Sequence, residues 1–173
     1  NAASLLKFLS KRKIEDKIFN KIINLAGSDL RLFFYNQGVQ QNLEKVVKFK
    51  KKYNLFFLVV YPNIKCSTKE VYSKVKNYNK KKVLKHIYKN KDALINYIFN
   101  LKNDLQSIVE KKYPLIQKLL LNISNEKGCY FSRMTGSGSA CYGLFRDKRS
   151  SKVALKRLRK KYPKFWFSIA KTI

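Results

Sequence analysis

The stretch "SRMTGSGSACYGLF", residues 132–145, places a glycine-rich turn between two apolar segments that resemble strands. Gly136 and Gly138 accept the positive φ angles that a tight turn requires. The stretch therefore predicts two adjacent antiparallel strands, near residues 129–134 and 139–145. On spacing alone, a simple hairpin turn explains it better than a ligand-binding loop does, because a lone G-x-G is weak evidence.

The segments around this hairpin follow the order of a ferredoxin-like domain. "NLFFLVVYP", residues 54–62, predicts a buried strand, and helical patterns follow it. "SSKVALKRLRKKYP" predicts an amphipathic helix with Val153, Leu155 and Leu158 facing inward, and "KFWFSIAKT" a last strand. The order βαββαβ predicts an α+β domain over residues 55–173, with a four-stranded antiparallel sheet and helices on one face.

Two local signals indicate where helices begin. Ser67 is followed three residues later by Glu70, which is the spacing of a capping box. Pro114 is suited to the first turn of a helix that runs through "PLIQKLLLNI".

The N-terminal third predicts a separate structural region. "NAASLLKFL" and "KIEDKIFNKIINLAG" carry apolar residues at helical spacing. Residues 36–54 are polar and lysine-rich, and the sequence assigns them no element. We therefore expect residues 1–54 to belong to a preceding domain, with the boundary near 36–54.

The net charge of +29 allows two interpretations. Clustered Lys and Arg attract phosphate backbones, which would indicate a polyanionic partner. However, the basic residues are mostly lysines spread over every segment, as an AT-rich coding sequence produces. We favour this compositional origin and do not expect nucleic acid as a partner. The longest unbroken apolar run, Leu55–Tyr61, is far too short to predict a membrane span.

The cysteines and the histidine give little support to metal or nucleophilic chemistry. Cys66, Cys129 and Cys141 show no C-x-x-C spacing, which argues against a zinc site or a disulfide framework. They are typical of reduced, mostly buried thiols in the cytoplasm. His86 is the only histidine and lies in a lysine-rich segment, which favours a surface or packing role.

Asp29 in "LAGSDLRLFF" is the candidate catalytic residue. A carboxylate at the mouth of a cleft can take a proton from a substrate hydroxyl. An aspartate after glycine and serine also commonly closes an Asx-turn or caps a helix. The residues alone leave these two roles open.

The order of three segments resembles that of the GHMP kinases. "NAASLL", "GSD" with the following "FF", and "RMTGSGSACYGLF" occur in the family's order. Three longer segments resemble the members of this family that act in the non-mevalonate isoprenoid pathway. They are "YPNIKCSTKEVY", "NDLQSIVEKKYP" and "SRMTGSGSACYGLF". The resemblance covers nearly the whole chain and is weakest over residues 36–54.

The resemblance implies transfer of the γ-phosphate of ATP, with Mg²⁺, to the 2-hydroxyl of 4-diphosphocytidyl-2-C-methyl-D-erythritol in the cytoplasm. It assigns Asp29 the role of base or hydroxyl-orienting group. It places Asn1 at a helix start beside the ATP phosphates, and Gly136, Ser137 and Gly138 in a turn that packs there. Helix N-termini suit phosphates because their N–H groups are free. No protein metal ligand is implied.

The chain also departs from the family pattern. The family's phosphate loop precedes the residue that matches Asn1, and a lysine partner of the aspartate lies further upstream. Arg31 stands where a proline is usual. We therefore expect a C-terminal portion of such a kinase, truncated before the phosphate loop and inactive alone. Two alternatives are a non-catalytic remnant and a basic RNA-binding module, although "SACYGLF" does not match the aromatic motif of RRM domains.

Overall fold

The structure is a computed structural model that describes residues 18, 21–23, 25, 37–42, 45–49, 51–76 and 90–172. The backbone divides into two compact units, residues 1–52 together with 172–173, and residues 53–171.

The first unit contains a short hairpin where the sequence assigns no element. Strands β1 (Gly38–Gln40) and β2 (Val46–Lys48) pair antiparallel, with Val39 opposite Val47. The Asn42 side chain accepts a hydrogen bond from the Lys45 N–H at 2.7 Å, which closes the connection. Residues 18, 21–23 and 25 are helical, within the second predicted helix. The predicted helix over residues 1–9 lies outside the described residues.

The second unit is built on a four-stranded antiparallel sheet. Its strands are β3 (Phe56–Tyr61), β4 (Cys129–Met134), β5 (Cys141–Phe145) and β6 (Trp166–Lys171). They lie in the order β4–β5–β3–β6, and every neighbouring pair is antiparallel. This confirms the predicted α+β fold and the predicted hairpin around the glycine turn.

Five helices accompany the sheet in the described residues. They are α1 (Thr68–Ser73), α2 (Lys91–Phe99), α3 (Gln106–Lys112), α4 (Pro114–Ser124) and α5 (Lys148–Lys161). The Ser67 hydroxyl accepts from the Glu70 N–H, and Pro114 occupies the first turn of α4, so both predicted helix starts are confirmed. None of the described helices is long and apolar enough to cross a membrane.

The core lies between one face of the sheet and helices α3, α4 and α5. Leu58 and Val60, two residues apart on β3, are fully buried because alternate strand residues share a face. Among the side chains around them, those buried almost completely are Val109, Ile116, Leu119, Ile123, Met134, Cys141, Phe145 and Ala154.

Helix α2 lies against the opposite face of the sheet. Ser132 donates to the Leu120 carbonyl on α4, so the neighbouring residues of β4 point to the other side. There the Phe131 ring meets the Phe99 ring of α2 edge-on, at 6.0 Å between centroids. Arg133 donates to the carbonyl of Phe99 at 3.3 Å. The prediction that all helices lie on one face is therefore wrong for α2, which covers aromatic residues on the second face.

The inward face of α5 differs from the predicted one at a single position. Val153 is 42% exposed, whereas Ser151, Ala154 and Leu158 are buried. Those three residues fall on one stripe of the helix, and each residue step rotates the side chain by about 100°. Val153 is thereby turned away from the core, so its predicted inward orientation is wrong.

Gly143, in the middle of β5, lies in close contact with α4. A Cβ atom added at Gly143 would lie 2.5 Å from Cγ2 of Ile123 and 2.9 Å from Cε2 of Phe145. The absence of a side chain here therefore sets the distance between the helix and the sheet.

We expect Gly143→Ala to destabilise the domain, because the added methyl group overpacks a filled core at a cost of about 1–3 kcal/mol. Urea denaturation measures the change in the free energy of unfolding. Ser107→Ala, at an exposed helix position, is the control and should change it little. Equal stability of Gly143→Ala and the native chain would show that Ile123 moves aside freely.

Candidate functional site

The turn between β4 and β5 has the backbone geometry that its glycines predict. The φ angles are +54° at Gly136 and +87° at Gly138, both in the region that favours glycine. The Thr135 N–H donates to the Ala140 carbonyl at 2.9 Å, and the Gly138 N–H donates to the Thr135 carbonyl at 3.1 Å. These two bonds close the turn.

Asn103, in the connection before α3, holds the turn from one side. Its Nδ2 donates to the carbonyls of Met134 and Gly136, both at 2.9 Å. Its Oδ1 accepts from the Leu105 N–H at 3.0 Å, which fixes the orientation of the amide. The Asn103 side chain therefore bonds the backbone on both sides of Thr135.

Gln106 adds a further bond from the same connection. Its Oε1 accepts from the Met134 N–H at 3.0 Å. Its Nε2 donates to Oε1 of Glu110 at 2.8 Å, one turn along α3. The end of β4 thus has both backbone groups of Met134 satisfied by side chains from residues 103–106.

The segment that follows β3 holds the turn from the other side. The hydroxyl groups of Thr68 and Ser137 lie 2.9 Å apart and share a hydrogen bond. Ser139 is only 1% exposed and donates its hydroxyl to the Ile64 carbonyl. The turn is therefore anchored to the residues that lead into α1.

The two glycines of the turn have opposite surroundings. A Cβ atom at Gly138 would lie 2.8 Å from Sδ of Met134 and 3.4 Å from Sγ of Cys66, so this glycine is needed for close packing. A Cβ atom at Gly136 would meet no atom within 4 Å among the described residues. Within those residues, no group accepts a hydrogen bond from the N–H of Gly136 or Ser137. This side of the turn can receive an anionic group.

An exposed ion pair joins α1 to α3 close to the turn. Nζ of Lys112 lies 2.6 Å from Oε2 of Glu70, and Nζ of Lys74 lies 2.9 Å from Oε1. Hydrogen bonds from these two ammonium groups, Lys112 first, lower the pKa of Glu70 from 4.5 to about 2. The same carboxylate raises the pKa of Lys112. The pair is solvent-exposed, so its net stabilisation is small.

The thiols of Cys66 and Cys141, near the turn, are poor nucleophiles because their pKa values are raised. Burial raises the pKa of Cys141 to about 12. Burial also raises the pKa of Cys66, against the opposing effect of the Lys112 ammonium. Both thiols stay protonated at neutral pH, and only the thiolate is a strong nucleophile.

A polar cleft of about 560 Å³ opens beside Asn103. Arg133 forms part of its wall and is held in place by bonds to the carbonyls of Ile98 and Phe99. Its other lining residues are Leu101, Lys102, Asn103, Asp104, Gln106, Ser107, Glu110 and Ser132. This mixture of donors and acceptors suits a polar ligand.

Among the site residues predicted from the sequence, Gly136, Ser137 and Gly138 form the turn between β4 and β5. Asn1 and Asp29 lie outside the described residues. Sequence reasoning assigns no role to Asn103 or Thr68, although "NDLQSIVEKKYP" and "YPNIKCSTKEVY" contain them. The structure brings these two segments and the glycine turn together at one place.

The chain is similar to known kinases over most of its length. Residues 82–164 match the family described as GHMP kinases C terminal. A 4-diphosphocytidyl-2-C-methyl-D-erythritol kinase of Pelagibacter ubique is 34% identical over 182 residues, covering 100% of this chain. The kinase of the same name from the Wolbachia of Brugia malayi is 29% identical over 180 residues, again covering 100% of this chain. The chain spans 62% of the length of each of these relatives.

The fold is shared with a solved structure. A crystal structure of 4-(cytidine 5'-diphospho)-2C-methyl-D-erythritol kinase matches with a TM-score of 0.72 and 18% sequence identity. The match covers 99% of this chain and 63% of that one.

We expect Asn103→Asp to destabilise the protein by about 1–3 kcal/mol, because a carboxylate would face two carbonyl oxygens and could donate to neither. Thermal unfolding at pH 7 measures the loss. Gln117→Glu makes the same amide-to-carboxylate change at an exposed position and should have little effect. If both variants unfold like the native chain, Asn103 does not hold the turn.

We expect the Glu70 ion pair to contribute stability above about pH 4.5 and to lose it as the pH falls towards 2, because folding lowers the pKa of Glu70. Glu70→Gln should therefore melt below the native chain at pH 6 and converge with it near pH 2. Melting temperatures between pH 2 and 7 test this. Lys112→Gln should reproduce the convergence, and a pH-independent gap would contradict the assignment.

Proposed function

We propose that the chain, which matches the GHMP kinase family over residues 82–164, supplies part of a 4-diphosphocytidyl-2-C-methyl-D-erythritol kinase. The reaction would transfer the γ-phosphate of ATP to the 2-hydroxyl of that substrate, in the cytoplasm, within non-mevalonate isoprenoid biosynthesis. The observation that carries the proposal is the meeting of three kinase-like segments at the glycine turn. Residues 64–68, Asn103 and residues 136–139 are joined there by direct hydrogen bonds.

The turn suits a position beside the phosphates of ATP. The open space at Gly136 leaves room for a phosphate or for a second loop. The N–H groups of Gly136 and Ser137 are available as donors within the described residues, and consecutive N–H groups of this kind bind anions. Gly138 keeps the turn packed on Met134 and Cys66 while its outer side stays accessible. When bound, ATP with Mg²⁺ supplies the phosphoryl group that is transferred.

Two further residues complete the proposed site on the strength of the family resemblance. By that resemblance Asn1 would stand at a helix N-terminus beside the phosphates, where free N–H groups favour negative charge. Asp29 takes the proton of the substrate hydroxyl or orients that hydroxyl for attack. Residues 1–54 then correspond to the remainder of the kinase N-terminal domain, and residues 55–173 to its C-terminal domain.

The proposal makes residues 1–173 inactive by themselves. In this family the phosphate loop precedes the residue that matches Asn1, and clamps on the phosphoryl group provide most of the catalysis. We expect no turnover by residues 1–173 with ATP and 4-diphosphocytidyl-2-C-methyl-D-erythritol. We expect turnover once the chain is joined to the part of the Pelagibacter ubique relative that it does not match. Release of ADP, coupled to an indicator enzyme, measures both.

Asp29→Asn in this chimera separates catalysis from folding. If Asp29 is the base, kcat falls by about two to four orders of magnitude while the affinity for ATP and the melting temperature change little. If it only caps a turn, asparagine serves nearly as well, since both residues cap well. A folded chimera without turnover would instead identify the chain as a non-catalytic remnant.

A further inference from the structure

Helix α5 presents a continuous cationic surface that the proposed kinase reaction does not use. Eight of its fourteen residues are basic and none is acidic. All eight basic side chains are exposed: Lys148, Arg149, Lys152, Lys156, Arg157, Arg159, Lys160 and Lys161. The apolar and small residues Ala154 and Leu158 point into the core.

This concentration exceeds what the composition of the chain explains. Basic residues make up 39 of 173 in the whole chain, but more than half of α5. The eleven-residue helix α4 carries a single lysine, Lys118. Three of the seven arginines also lie in α5, and arginine binds phosphate oxygens in a bidentate manner. A lysine-rich composition alone would have placed many basic residues on both helices.

The charge of this surface is almost uncompensated. Among the described residues, Arg157 has the only acidic partner of the eight, Glu126 at 3.6 Å. Lys148, Arg149, Lys152 and Lys156 surround the exposed side chain of Val153 and line an open groove of about 430 Å³ with it. We call these four residues the α5 cluster.

We propose that the α5 cluster binds the phosphate backbone of single-stranded RNA without sequence specificity. A helix of fourteen residues is about 21 Å long. It therefore extends past several consecutive phosphates of one strand. A bilayer is a poorer fit, since a helix that lies on a membrane needs an outward apolar face, and Val153 is the one large exposed apolar side chain of α5. The proposal is independent of the kinase function.

The test is fluorescence anisotropy of a labelled 20-nucleotide RNA with residues 1–173, at several salt concentrations. The test variant combines Lys148→Gln, Arg149→Gln, Lys152→Gln and Lys156→Gln. We expect its Kd to rise on the order of 100-fold at 0.1 M salt, and the slope of log Kd against log salt to fall by about 3. Equal melting temperatures of the two proteins establish that the variant is folded.

A matched variant separates a site from general charge. Lys65→Gln, Lys69→Gln, Lys111→Gln and Lys118→Gln remove the same net charge from exposed positions outside α5. We expect this control to change Kd less than threefold. Equal losses in the two variants would overturn the proposal in favour of charge spread over the surface. Binding to anionic phosphatidylserine vesicles without binding to RNA would also overturn it.

Discussion

The turn between β4 and β5 depends on hydrogen bonds that its own residues cannot make. The carbonyls of Met134 and Gly136 both accept hydrogen bonds from the Asn103 side chain, 31 and 33 residues away. A shielded backbone group without a partner costs about 1–3 kcal/mol. The connection before α3, the end of β4 and the turn therefore form one structural unit. Because β5 begins opposite the end of β3, where Cys141 pairs with Val60, this unit meets the segment that follows β3.

Sequence signals were sufficient where an element has a marked end. Ser67 and Pro114 mark helix starts, and the glycine turn marks the hairpin, so these features could be predicted. The β1–β2 hairpin could not, because strands of three residues are too short to show an alternating pattern. The orientation of Val153 depends on which stripe of α5 meets the sheet, and the position of α2 depends on the aromatic second face. Both are set by packing rather than by local spacing.

The candidate site divides in the same way. Gly136 and Gly138 are visible in the sequence because positive φ requires glycine. Asn103 and Thr68 are not, since 33 residues separate Asn103 from Gly136 and 69 separate Thr68 from Ser137. No periodicity pairs residues so far apart. The roles proposed for Asp29 and Asn1 rest on family resemblance, which carries information about partners beyond the local pattern.

These separations also determine when the turn takes shape during synthesis. Ser139 bonds to Ile64, which leaves the ribosome 75 residues earlier. The segment between β3 and α1 is therefore synthesised well before the turn that it anchors. Closing such long loops is slow, because the entropy of the intervening chain is lost before the contacts form. The nascent chain therefore contains the segments that anchor the turn before it contains the turn itself. Because β6 pairs with β3 and is synthesised after the turn, the sheet that carries the turn is completed last.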